Sequence, residues 1–261
     1  MRLPVYVVDA FASQPFKGNS AAVVPLESAD QITDETRASI AAEMKHAETA
    51  YVVLRDEHNH YDLRWFSPTV EVALCGHATL ASAHALWSTG VAGPLFFHTK
   101  SGVLSASQDG DRITLYFPAY PVTAGDLPFT PSFLTGAVFT GRYSFDWFVE
   151  LASADDVRAV EPDFAEIERM GLRGLLITAK GDGGYDCVSR FFGPLTGVPE
   201  DSATGSAHCA LGPYWSAKLG KEELLCYQAS QRGGEVGVKL CGETVELSGK
   251  AVTVLEGQLF L

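Results

Sequence analysis

Positive charge is scarce in this 261-residue chain: 19 Lys and Arg stand against 32 Asp and Glu, a formal charge of −13 with a pI near 4.9. A polyanion would meet repulsion over most of such a surface, so nucleic acid is not an expected partner. A small anion remains open, because its binding depends on the field inside a cleft more than on net charge. Long apolar runs are lacking too. None approaches the roughly 18 to 20 residues that cross a bilayer, and no membrane association is expected. The opening MRLPVYVVDAF has no charged n-region, apolar h-region or small-residue cleavage site, which points to a cytoplasmic protein. Cysteines are few and irregular: Cys75, Cys187, Cys209, Cys226 and Cys241 form no CxxC pair. Neither a disulfide framework nor structural zinc is expected, and free thiols in apolar surroundings pack as small hydrophobes.

What is present is a globular composition, 46% apolar and 20% charged, with no stretch polar enough to stay unfolded. The length is near the upper limit for one hydrophobic core and suits two domains. The expected division is 1–122 and 123–261, with the last strand able to pack back on the first domain. Periodicity predicts strands at 4–11, 21–25, 49–54, 61–66, 95–99, 103–107 and 112–117, with helices at 33–45 and 77–88. After Pro118-Ala119-Tyr120-Pro121 the chain is rich in Pro, Gly and Thr to about Gly136, as a linker would be. Strands are then predicted at 142–151, 157–160, 174–178 and 185–192, a helix at 203–219, and a strand-rich end from Leu224. Pro213, inside that helix, is expected to kink or split it, since an interior proline costs about 3 kcal/mol. Cys75-Gly76-His77-Ala78-Thr79 faintly echoes Asp201-Ser202-Ala203-Thr204-Gly205-Ser206-Ala207, with duplication and chance about equally able to explain it.

Both echoing segments put small residues where an extended chain turns into a helix. Gly76-His77 and Gly205-Ser206 would let a ligand approach the first N–H groups, where the helix dipole favours negative charge, and Ser206 adds a hydroxyl donor. Ordinary caps on buried helices would look the same. Glu48 lies where a helix gives way to a strand; partly buried there, a carboxyl is suited to exchanging protons, whereas exposed it is a strand-edge charge. Asp201 could bind a substrate group or cap its helix. His77 could hydrogen-bond a substrate, relay a proton or cap. Asn19 in Gly18-Asn19-Ser20 is a turn residue by default, and His84 and His208, deeper in their helices, read as structural.

Six ordered blocks carry more than any of these singly: Val8-Asp9-Ala10-Phe11, Pro15-Phe16-Lys17-Gly18-Asn19-Ser20-Ala21-Ala22-Val23, Ala47-Glu48-Thr49-Ala50, Arg64-Trp65-Phe66-Ser67-Pro68, Glu71-Val72 with Cys75-Gly76-His77-Ala78-Thr79, and Glu200-Asp201 with Ala203-Thr204-Gly205-Ser206-Ala207. Together they resemble the phenazine-biosynthesis PhzF-like family along most of the chain. That resemblance implies an α+β, diaminopimelate-epimerase-like fold: two pseudo-symmetric domains, each a strand-rich half-barrel around a central helix, with the site in the cleft between them. It also implies a homodimer and chemistry that needs no cofactor or metal.

By motif position Glu48 resembles the family's proton-shuttling glutamate, with Asp201 and His77 beside it and Asn19, Gly76, Gly205 and Ser206 as substrate contacts. The expected activity is isomerisation of a small carboxylated substrate. Epimerisation of an amino-acid-like acid and non-catalytic binding of a metabolite are the alternatives. Diaminopimelate-type epimerases use a thiol at each helix start; Cys75 suits the first, but 203–205 holds none and Cys209 lies more than a turn further in. Ser202 stands where the family usually has Pro.

Overall fold

The computed structural model describes residues 1–261. The chain forms two compact units, Met1–Tyr116 with Ser248–Leu261, and Phe117–Leu247. Thus the boundary falls after Tyr116, and residues 248–261 belong to the first unit. In chain order the elements are β1 (Arg2–Ala10), β2 (Asn19–Leu26), α1 (Asp34–Met44), β3 (Glu48–Leu54), β4 (His60–Phe66), β5 (Glu71–Val72), α2 (Gly76–Ser88), β6 (Leu95–Thr99), β7 (Gly102–Asp109) and β8 (Arg112–Pro118). There follow β9 (Thr123–Ala124), β10 (Ala137–Tyr143), β11 (Asp146–Leu151), α3 (Ala154–Ala159), α4 (Phe164–Arg169), β12 (Gly174–Lys180), β13 (Cys187–Gly193) and β14 (Val198–Asp201). The last are α5 (Gly205–Leu219), β15 (Glu223–Gln228), β16 (Gly234–Cys241), β17 (Thr244–Gly249) and β18 (Ala251–Phe260).

In the first unit β1/β2 is antiparallel, β2/β3 parallel, β3/β4 antiparallel, β4/β6 parallel and β6/β7 antiparallel. In the second unit β10/β11, β11/β12, β12/β13, β13/β15 and β15/β16 run through the same alternation. Parallel neighbours need a crossover. The helices supply it at matching places: α1 answers to α3 and α4, and α2 to α5. A short strand precedes each central helix, β5 before α2 and β14 before α5. The faint sequence echo therefore lies on a repeat of topology, and Gly76 and Gly205 each open the central helix of a unit.

Helix α2 packs on β1, β2, β3 and β18. It is buried almost all round because eight of its 13 residues are Gly, Ala, Ser or Thr, so strands approach closely on several sides. Strand β18 closes the unit by pairing antiparallel along the length of β1, from Arg2↔Phe260 to Ala10↔Ala251. Trp65, Phe97, Leu63 and Leu80 are among its fully buried side chains. The second unit centres on Val149, Leu151, Leu175, Ile177, Val188 and Phe192, with Val157 and Ile167 delivered by the two short helices.

Four expectations are corrected here. The strand predicted at 142–151 is a hairpin, β10 and β11, turned at Ser144 with a φ of 44°. The strand predicted at 157–160 is the end of α3, and α4 follows it. Both helices are short, so periodicity is weak, but their caps are legible: Ser153 accepts from the N–H of Asp156, and Asp163 from that of Glu166. The Pro- and Gly-rich stretch to residue 136 is irregular but not free, since Leu134 is buried and Leu127, Phe129 and Phe133 pack on the core. Finally, α5 is one helix through Pro213. The carbonyl that Pro213 leaves without its helical donor is that of Cys209, and it accepts instead from the N–H of Tyr120 at 2.9 Å. With that carbonyl satisfied, the largest electrostatic part of the proline penalty is relieved.

Candidate active site

Three element starts converge in the first unit. Helix α1 ends at Lys45, whose left-handed backbone (φ 55°) sends an N–H back to Ala41 and reverses the chain into β3. That turn makes Glu48 the first residue of β3, in register with Ala21 of β2. Asn19, first residue of β2, lies two positions before Ala21. It is held there by a tight loop in which the buried Asp9 carboxylate accepts from the N–H of Phe16 at 2.7 Å. Gly18 in that loop has a φ of +62°, and a Cβ on it would lie 2.1 Å from the Ala10 carbonyl oxygen, so only glycine fits. His77 is the second residue of α2.

The resulting cluster is compact. Glu48 Oε2 lies 3.1 Å from His77 Nε2, with side chains 15% and 4% exposed. Asn19 Nδ2 lies 3.0 Å from His77 Nδ1, and Cys75 Sγ 3.6 Å from the same nitrogen. Asn19 can serve either proton state of the ring, donating from Nδ2 to a bare Nδ1, or accepting at Oδ1 once its amide turns over. Burial works against the imidazolium of His77, but the Cys75 sulfur and the Glu48 carboxylate outweigh it and raise the imidazole well above its ordinary value. Burial, aided by the Glu48 charge, pushes the Cys75 thiol up to about 11. The thiol is therefore uncharged near neutral pH, and Glu48 is the anion that faces the ring there. Ligand atoms of Glu48, Cys75 and His77 lie within 4.8 Å of one another, but a thiol held this high resists the deprotonation that metal binding requires. The N-cap of α2, Cys75, makes no side-chain capping bond and the first turn holds no acidic residue, so the positive end of the helix dipole is not offset from within.

The second unit builds its counterpart from different chemistry. Asp146 is the first residue of β11, Arg173 immediately precedes β12, and Ser206 is the second residue of α5. Counted from the element starts, these match the places of Asn19, Glu48 and His77 in the first unit to within one residue. Arg173 donates from Nε to Asp146 Oδ1 at 2.9 Å and from Nη2 to Ser206 Oγ at 3.0 Å, with a further Nη2 contact to Asp146 Oδ2. Because Ser206 Oγ accepts from the guanidinium, its own proton stays available to donate. Burial opposes the charge on Arg173, but the Asp146 carboxylate more than offsets it and raises the guanidinium further.

Asp201, the last residue of β14, accepts from Thr204 Oγ1 at 2.7 Å. The buried Gln228 fixes this turn: its Oε1 accepts from the Thr204 N–H at 2.8 Å, and its Nε2 donates to the Asp201 carbonyl at 2.7 Å. Helix α5, like α2, has no side-chain capping bond and no acidic residue in its first turn. Cys209, four residues in, is buried with its sulfur on the Gly205 carbonyl, and burial raises its thiol.

Glu48, His77, Asn19 and Gly76 thus meet in the first unit, and Asp201, Gly205 and Ser206 gather at one turn of the second. Sequence reading missed Arg173, Asp146 and Gln228. Arg173 had a signal, a lone cation opening an apolar strand in an acidic chain. Asp146 and Gln228 had none. Other motif residues serve as scaffold: Arg64 grips Asp34 at 2.7 and 2.8 Å and Glu71 at 2.8 and 2.9 Å, tying α1 to β4 and β5, while Ser67 closes the turn before β5.

His208 is buried in α5 with Nδ1 2.8 Å from the Thr204 carbonyl, the position of a donating N–H. Burial pushes its pKa down to about 4. From pH 6.5 down to 4 the unfolded chain therefore binds more protons than the folded one, and stability falls with acidification. His77 acts in the other window: its contribution is complete below about 6.5 and is lost as pH rises toward its raised folded value. Urea unfolding should show a loss on the order of 2 kcal/mol between pH 7 and 5 from His208. His208→Gln should flatten that limb, and an unchanged slope would show that another group carries it.

Two strand-rich units, each built around a buried helix, define an α+β protein of the diaminopimelate-epimerase-like fold; a probable proline racemase from Agrobacterium radiobacter K84 shares that fold at a TM-score of 0.71 and 12% identity, over 99% of this chain and 93% of its own. The chain belongs to the phenazine biosynthesis-like (PhzC-PhzF) family, whose model matches residues 8–257. It is 45% identical over 274 aligned residues, all of both chains, to an uncharacterized isomerase of Halalkalibacterium halodurans. The crystal structure of a PhzF-family phenazine biosynthesis protein from Enterococcus faecalis superposes with a TM-score of 0.94 at 36% identity, over 100% of both chains. No helix is long and apolar enough to cross a membrane.

Proposed function

We propose that this chain is a cofactor-independent isomerase that moves a proton on a small carboxylated substrate and works as a cytoplasmic homodimer. The observation that carries this reading is Glu48, mostly buried and 3.1 Å from His77, beside the uncapped start of α2. A carboxylate removes a carbon-bound proton only where the charge left behind is stabilised as it forms. In this reading Gly76 offers its backbone N–H to that charge and Asn19 holds a polar substituent, while Gly205, Ser206 and Asp201 are the further substrate contacts that the family resemblance implies. Glu48 takes the proton beside an unsaturated or carbonyl-activated carbon, the double bond shifts, and the same proton returns to a different carbon. His77 holds the carboxylate in place and balances its charge.

Epimerisation at a single carbon is the second reading. Cys75, 3.6 Å from His77 Nδ1, favours it as a second proton carrier, while its raised thiol counts against it. An NMR screen of small unsaturated and amino-acid-like carboxylic acids in D2O separates the two. Proton transfer within one molecule retains substrate hydrogen, and two-base epimerisation introduces solvent deuterium. If no carboxylic acid reacts or binds, the isomerase assignment to this substrate class fails.

A further inference from the structure

We propose that Glu57, His60 and His98 form a surface site for a divalent transition-metal ion of the zinc type, separate from the Glu48 cluster and independent of the reaction. His60 opens β4 and His98 lies in β6, and these strands run parallel with His60 opposite Phe96 and Asp62 opposite His98. Two residues apart along the register, the two histidines project from the same face of the sheet. The His60 ring stacks on Phe96 with centroids 4.7 Å apart, which fixes its orientation. Glu57 stands on the turn between β3 and β4, a turn held by backbone bonds from Arg55 to His60 and from His60 to Glu57.

His60 Nδ1 lies 2.9 Å from His98 Nε2 and 3.0 Å from Glu57 Oε2. A ring nitrogen carries at most one proton. If His60 Nδ1 has it, that proton is shared between two acceptors; if His98 donates it instead, the bare Nδ1 lone pair faces a carboxylate. With neutral rings the cluster holds more lone pairs than protons, and one cation satisfies all three. The three ligand atoms lie within 4.8 Å of one another. Tetrahedral zinc, with bonds of about 2.0–2.1 Å, sets its ligand atoms about 3.3 Å apart, so the two separations from His60 need open by only a few tenths of an ångström. Glu57, with its side chain 69% exposed, has the freedom to do so. Two imidazoles and one carboxylate without a thiol suit zinc, nickel or copper rather than magnesium or calcium. The fourth position opens to water, because Asp62, the next carboxylate on that face, is engaged by Arg55 at 2.6 Å.

The test is isothermal titration of the tag-free full chain with Zn2+ and with Ni2+ alone. Wild type and Cys75→Ala should each bind one equivalent at this site, and bound metal should raise the melting temperature, because it clips the β3–β4 turn to β6. His98→Ala should lower the affinity at least about tenfold, as ligand loss costs no less than loss of an outer-shell partner. Glu57→Ala, on an exposed turn where the fold does not depend on it, should weaken binding in the same direction. The proposal is overturned if no saturable binding occurs, if affinity survives both His98→Ala and Glu57→Ala, or if binding disappears in Cys75→Ala.

Discussion

Glu48→Gln is expected to reduce turnover by about 10²–10⁴-fold, the usual share of a positioned general base, on whichever carboxylic acid the D2O screen identifies. Substrate affinity should change little, because Gln keeps the shape and the hydrogen-bond reach to His77 and loses only the basic oxygen. The thermal midpoint should stay close to wild type for the same reason. A second readout needs no substrate. His77 is held above its ordinary pKa, against burial, by the Cys75 sulfur and the Glu48 carboxylate; near neutral pH, where the thiol is protonated, removing the Glu48 charge leaves burial to win. The His77 imidazole should then titrate below its ordinary value by NMR, with a neutral ring at pH 7. Turnover near the wild-type rate would remove Glu48 from the chemistry. An unmoved His77 titration would show that the pair is not coupled electrostatically, whatever happens to the rate.

Much of the candidate cluster was legible because its residues sit in short local motifs at the starts of elements. Glu48, His77 and Gly76 are each recognisable by a neighbour or two, and the fold only has to bring two loops and a strand end together. What was not legible depends on long-range partners. Gln228 clamps the turn at Asp201 from 27 residues away, and nothing around Gln228 announces it. The same holds for Pro213: local propensity predicts a broken helix, while the structure satisfies the orphaned Cys209 carbonyl from Tyr120, 89 residues earlier in the chain. The hairpin at Ser144 was missed because polar and apolar residues alternate straight through the turn, Arg142-Tyr143-Ser144-Phe145-Asp146-Trp147, and only the positive φ at Ser144 separates the two strands. Composition and periodicity report what a residue prefers. They are silent on which distant group relieves the cost when the preference is violated.

Arg173→Ala is expected to cost about 3 kcal/mol of stability in the second unit. The effect comes from Asp146, whose side chain is fully buried, more than from the arginine. A buried pair contributes little net stability compared with apolar residues of the same shape, but removing one partner strands the other, typically at about 3–5 kcal/mol. The lower end applies because the Arg173 side chain is itself 35% exposed, so water can reach part of the space it leaves. Two controls identify the cause. Asp146→Asn in the Arg173→Ala background should recover a large part of the loss, since an amide is far cheaper to bury than a carboxylate. The deficit of the single variant should also shrink on acidification. A stranded Asp146 has its pKa raised, so its folded state gains a proton first and recovers stability as pH falls. Urea denaturation of the four chains of this cycle at two pH values gives both answers. A loss that is additive between the two positions and flat with pH would mean that Arg173 contributes packing and the Ser206 contact rather than the neutralisation of a buried charge.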